Sequence, residues 1–140
     1  MNISDICEQL KADEGFRRHV YLDHLGYETI GYGFLVDERR GGGLPRDIAD
    51  YWLEQEVIKR AEHLNVRWPE MGRQPQEVQQ ALVNMAFQMG VGGVLGFKRM
   101  LEALRAGDRG RAADEAIDSK WARQTPNRAE RVAAMIRGET

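Results

Sequence analysis

The opening residues set Ile3, Ile6, Cys7 and Leu10 three and four positions apart. That spacing predicts an amphipathic helix, with Asn2 or Ser4 as its cap and Gly15 as its stop. After the glycine the pattern changes. HVYLDHLGYETIGYGF is rich in β-branched and aromatic residues, and Asp23 to Gly26 lie like a turn between Val20-Tyr21-Leu22 and Tyr27 to Tyr32. The pattern predicts a small antiparallel sheet. Arg39-Arg40-Gly41-Gly42-Gly43 offers little side chain with which to build an element and predicts a flexible connection or hairpin tip. A lobe boundary is expected just after it.

From Pro45 onward the periodicity is helical. Ile48, Tyr51, Trp52, Ile58 and Ala61 predict a long connecting helix that ends before Pro69. Val78, Ala81, Leu82, Met85 and Met89 form the cleanest stripe, which predicts a buried helix stopped by Gly90. Three further sets predict three more helices: Phe97, Met100, Leu101 and Leu104; Ala113, Ala116, Ile117 and Trp121; Ala129, Val132, Ala133 and Ile136. Thr125 is a candidate cap for the last, with Pro126 at its first position. The expected fold is therefore α+β and mainly helical, one domain over 1–140. A small sheet-bearing lobe occupies about 1–44 and a larger helical lobe about 45–140.

Composition narrows the function classes. A chain of 140 residues, 42% hydrophobic and 30% charged, can bury a core. No stretch approaches the roughly 18 consecutive apolar residues of a membrane span, and the first residues lack the pattern of a secretory leader. A soluble protein made in the cytoplasm is expected. The single cysteine, Cys7, rules out an internal disulfide, and its place on the apolar stripe predicts a small buried hydrophobe. Net charge is −2; residues 98–140 carry 10 basic and 7 acidic groups, residues 1–97 carry 10 and 15. This mild bias suits an anionic polymer but not nucleic acid, which calls for a dense basic face. His19, His24 and His63 have no convincing ligand spacing, so no metal is expected. Gly31-Tyr32-Gly33 lacks the Lys-Ser/Thr of a phosphate loop, and a close backbone approach to a sugar or a twisted strand accounts for it.

Two carboxylates remain as candidate chemistry. Glu14 falls four residues after Leu10 and so on the apolar stripe, whereas Asp13 points away. Partial desolvation there would favour the protonated form that a general acid needs; the alternative is a helix-end glutamate paired with a nearby arginine. Asp23 stands where the first strand turns. Two carboxylates flanking a groove are the usual apparatus of glycosidic cleavage, while an aspartate in a turn more commonly bonds its own backbone. Thr29 is by default a good strand residue.

Asp13-Glu14-Gly15, Tyr21-Leu22-Asp23 and Gly26-Tyr27-Glu28-Thr29-Ile30-Gly31-Tyr32-Gly33 together resemble the active-site region of the phage-type lysozymes, the endolysin family of glycoside hydrolases. Asn84 to Gly90, Gly96-Phe97 and Trp121 to Arg131 resemble that family's second-lobe motifs, so the likeness runs along nearly the whole chain.

The resemblance implies a lysozyme-like fold with a cleft between the lobes. Its substrate would be peptidoglycan, cut at the β-1,4 bond between N-acetylmuramic acid and N-acetylglucosamine, with no cofactor. It implies Glu14 as proton donor and Asp23 with Thr29 as holders and activators of the attacking water. Inversion follows, with the carboxyl groups about 6.5–9.5 Å apart. It further implies that Arg128 pairs with Glu14, that Leu35 and Phe87 touch sugar, and that Gln88 and Gln124 lie nearby. Phe34 departs from the family pattern, where a histidine is frequent, and Met100 and Glu115 depart at outer substrate positions. The resemblance also implies a monomer that contacts glycan strands without entering the membrane, released by a separate holin for host lysis. A lytic transglycosylase also needs a buried glutamate, but a water-activating aspartate would have no purpose in it. A silent cell-wall-binding module is the alternative outside enzymes.

Overall fold

The computed structural model describes residues 1–37, 39 and 41–139. Arg40, part of the predicted connection, lies outside the described residues. By internal contacts the chain divides into two compact units, Met1–Trp52 and Leu53–Thr140.

In the first unit, helix α1 spans Ile3–Glu14. The Asn2 side chain accepts from the Asp5 amide at 3.2 Å, and Gly15 closes the helix at φ +70° with its N–H on the Lys11 carbonyl. These are the cap and stop expected from sequence. Strands β1 (Arg17–Leu22), β2 (Glu28–Gly31) and β3 (Phe34–Leu35) form an antiparallel sheet in that order. Tyr21 pairs with Thr29 and Thr29 with Leu35, so Thr29 sits in the middle strand; the β1–β2 ladder is irregular between Arg17 and Tyr21.

Two expectations for α1 are corrected. Its stripe is open, with Ile3 60% and Leu10 48% exposed, and no α1 residue is buried. Cys7 is exposed as well. A sheet whose last strand has two residues does not cover this face, so the helical period revealed the stripe but not what would bury it.

Helix α2 (Arg46–Arg67) runs from the first unit into the second. There the chain makes a 3-10 turn over Pro69–Arg73, absent from the sequence reading, and then α3 (Gln76–Leu95), α4 (Lys98–Arg105), α5 (Arg109–Ile117), α6 (Lys120–Gln124) and α7 (Pro126–Arg137). Val78, Ala81, Leu82 and Met85 of α3 are fully buried, as their spacing predicts. They share a core with Met100 and Leu104 of α4, Ala113 and Ala116 of α5, and Val132 and Ile136 of α7.

Gly90 stops the buried helical run as expected, and α3 is two helical stretches joined by a kink at this residue. Its backbone is non-helical at φ +82°, ψ 160°, and what the spacing did not announce is the second stretch directly after it, which buries Val91 and Val94 in the same core. The single helix predicted through Ala113–Trp121 is two. Ser119 adopts an extended backbone, donates its hydroxyl to the Ala116 carbonyl at 2.7 Å and accepts from the Ala122 amide at 3.1 Å, ending one helix and capping the next. Pro126 opens α7 as expected, but Thr125 does not cap it; its hydroxyl donates back to the Trp121 carbonyl at 2.9 Å.

Candidate active site

Glu14 is the last residue of α1, placed where Gly15 turns the chain away. Its carboxylate lies against the β2–β3 turn. A β-carbon built on Gly33 would stand 2.9 Å from Glu14 Oε2 and 3.5 Å from its carboxyl carbon. Gly33 has φ +79°, a region that disfavours side chains, so the turn and the carboxylate demand glycine for separate reasons. The group that comes close to Gly33 is the Glu14 carboxylate, a contact that the glycine pattern did not announce. Beside it the Phe16 and Tyr32 rings meet at 5.5 Å. Glu14 itself is exposed, which corrects the expectation that the α1 stripe would desolvate it.

Asp23 and Thr29 are tied through one residue, Tyr27. The Asp23 N–H donates to the Tyr27 carbonyl at 2.9 Å, and the Tyr27 N–H donates to Asp23 Oδ1 at 2.9 Å. The Leu25 N–H donates to the same oxygen at 2.9 Å. The Thr29 hydroxyl donates to the Tyr27 carbonyl at 3.2 Å. The turn residue therefore bonds its own backbone and holds its carboxylate at the same time. The Tyr27 amide is the largest cause holding the Asp23 carboxyl below its ordinary range; partial burial opposes it, and the Leu25 amide and the neighbouring His24 add to it. Thr29 is 4% exposed. With its proton on Tyr27, its oxygen lone pairs can accept from a water. Leu35, its partner in β3, is exposed.

The other sequence-derived residues lie in the second unit. Phe87, on α3, is exposed, with the Arg60 guanidinium over its ring. Gln88 Oε1 accepts from the Trp121 indole N–H at 2.9 Å, so this side chain braces α6. Gln124, at the end of α6, is exposed. Arg128 donates from Nε to Asn84 Oδ1 at 2.9 Å and from Nη2 to the Asn84 carbonyl at 3.1 Å. Sequence reasoning named neither Asn84 nor Arg60 as a site residue. Asn84 had a signal, because a polar residue one turn before Gln88 on the open face of α3 is placed to reach a neighbouring helix.

Of the departures, Phe34 is exposed on β3, while Met100 is buried in the core. Met100 and Glu115 line a depression of about 500 Å³ together with Phe97 and Trp121, whose rings meet edge-on at 6.2 Å. Among the described residues no group of three or more His, Cys, Asp and Glu side chains is gathered as metal ligands, and no helix is long and apolar enough to cross a membrane.

A short antiparallel sheet carrying the carboxylate-bearing turn, joined to a helical unit with one core, is a lysozyme-like α+β architecture. The phage lysozyme family model matches residues 11–137, and the chain belongs to that family, a class of cell-wall hydrolases. It is 37% identical to the pre-baseplate central spike protein Gp5 of Enterobacteria phage T4, over 94% of this chain and 27% of that protein. It is 29% identical to a probable T4-type lysozyme of Dictyostelium discoideum, over 96% of this chain and 94% of the relative. To the peptidoglycan hydrolase gp36 of Pseudomonas phage phiKMV it is 35% identical, over 88% of this chain and 14% of that protein. The chain thus spans about a quarter of the spike protein and a smaller part of gp36.

Proposed function

We propose that the chain, acting as one lysozyme domain, hydrolyses the β-1,4 bond between N-acetylmuramic acid and N-acetylglucosamine in peptidoglycan with inversion at the sugar carbon. The observation that carries this reading is that Glu14 on Gly33 and the Asp23–Tyr27–Thr29 turn occur in one small unit, one carboxylate exposed and the other fixed by amides. Glu14 donates its proton to the departing glycosidic oxygen. Asp23, kept ionised by the Tyr27 and Leu25 amides, takes a proton from water as that water's oxygen bonds the sugar carbon. The Thr29 oxygen accepts the water's other hydrogen and aims it. The bond to the leaving oxygen breaks as the new one forms, and the proton lost by Glu14 is replaced through Asp23 and solvent.

Leu35, Phe87, Gln88, Gln124 and Arg128 are proposed to contact the glycan. The protein works as a monomer, without cofactor. It is made in the cytoplasm and reaches the wall through a separate holin to lyse the host. A second biological reading, a domain that works as part of a phage spike, draws on the 37% identity to the pre-baseplate central spike protein. The chemistry is common to both. Proton NMR of freshly cut soluble glycan tests it: the α-anomer appearing first supports inversion, the β-anomer first rejects it, and anhydro ends identify a transglycosylase.

A further inference from the structure

Arg60 of α2 and Phe87 of α3 meet in a contact that no spacing in the sequence announced. The Arg60 guanidinium carbon stands 4.9 Å from the centre of the Phe87 ring. The guanidinium is itself fixed: Nη1 donates to the Glu56 carboxylate and, at 3.2 Å, to the Glu56 carbonyl, and Nε donates to the Ala86 carbonyl at 3.4 Å. The Arg60 and Glu56 side chains are 27% and 29% exposed, while Phe87 is 43% exposed. A half-open ring therefore has a cation anchored over it, tied to its own helix through the carbonyl of the preceding residue.

We infer that Arg60 is a positioning residue for glycan binding, holding the Phe87 ring in the orientation in which its open surface meets a sugar. This rests on the reading of Phe87 as a sugar contact. An exposed phenylalanine on a helix otherwise samples several rotamers, and ordering it when the glycan arrives would weaken binding. A planar guanidinium restricts the ring by stacking, in a way a lysine ammonium does not. The Ala86 bond sets the distance between cation and ring, because Ala86 adjoins Phe87 in the helix.

The test is calorimetric binding of soluble, uncut glycan strands to Glu14→Gln protein, alone and combined with Arg60→Met, Arg60→Lys, Phe87→Ala, or Arg60→Met with Phe87→Ala. Thermal melts run alongside. Arg60→Met is expected to raise Kd about two- to fivefold, the range of a partly exposed cation–π contact. Arg60→Lys, which keeps a cation beside Glu56, shifts it in the same direction with a smaller change in melting. Once Phe87 is alanine, Arg60→Met adds nothing to Kd. Unchanged binding in both Arg60 variants while Phe87→Ala weakens it overturns the inference and leaves the Phe87 reading standing. Equal weakening by Arg60→Met with and without the ring also overturns it. Unchanged binding in Phe87→Ala overturns both.

Discussion

The carboxylate of Glu14 rests on the bare backbone of Gly33, with Oε2 2.9 Å from where a β-carbon would be. Gly33→Ala therefore does two things: it places a side chain at φ +79°, costing about 1–2 kcal/mol, and it pushes the Glu14 carboxylate, the proposed acid, from its seat. A displacement near 1 Å is expected to lower kcat about a hundredfold. Gly15→Ala is the control. It has φ +70° but open space around the added carbon, so it is expected to reproduce the stability loss with a much smaller loss of turnover. Melting curves beside turnover on cell-wall suspensions separate the two effects.

Asp23 and Thr29 share the Tyr27 peptide, so their variants are expected to differ in kind. Asp23→Asn keeps an oxygen for the Leu25 and Tyr27 amides but removes the proposed base, and turnover is expected to fall about 10²–10⁴-fold with the turn intact. Thr29→Val removes the hydroxyl bond to Tyr27, costing about 1 kcal/mol, and removes the acceptor proposed to aim the water. Thr29→Ser keeps that acceptor and is expected to retain most activity. Equal activity in the valine and serine variants would remove Thr29 from the mechanism.

Acid stability follows from the carboxyls held low. Asp23 is held low first by the Tyr27 amide; Glu77 by its own amide in the first turn of α3 and then by the Arg109 hydrogen bond; Glu70 by its own amide, with Arg105 contributing. Each has a folded pKa below its unfolded value. The stabilisation is whole above the ordinary carboxyl range and is lost as pH falls through the lowered values. Stability is expected to be flat near neutrality and to decline below about pH 4. Glu77→Gln is expected to shallow that decline, and acid titration followed by circular dichroism measures it. These groups are solvated, so the change is small.

Gln88 is expected to matter for the fold as well as for any sugar contact. Gln88→Leu leaves the Trp121 indole N–H without its partner at a site where Trp121 is 9% exposed, destabilising by about 1 kcal/mol or somewhat more. Trp121 also packs edge-on to Phe97, and its emission is expected to change in the variant. Wild-type melting and emission would contradict this role.

Much of the fold was legible because its periods are strong. Val78, Ala81, Leu82 and Met85 repeat on one helical face, and Gly26, at φ +86°, turns the chain between strands of alternating character. What escaped depends on local hydrogen bonds that compete with the period. Ser119 bonds back to Ala116 and forward to Ala122, splitting a stripe that reads as one helix. At Gly90 the stop signal held, but the second helical stretch that starts at once and buries Val91 and Val94 was not legible. At the candidate site it was the family resemblance that marked Glu14, Asp23 and Thr29, whereas their seating did not follow from it. The shared Tyr27 peptide and the Glu14–Gly33 approach exist only once the turns are closed.

Proton donation by Glu14 is the step on which the proposed glycan hydrolysis depends. Its most direct test is digestion of purified peptidoglycan by wild type and Glu14→Gln, with fragments weighed and their ends identified. Reducing muramic acid ends from the wild type, reduced about 10²–10⁴-fold or lost in the variant, are predicted. Anhydro ends, or undiminished cutting by Glu14→Gln, would contradict the account.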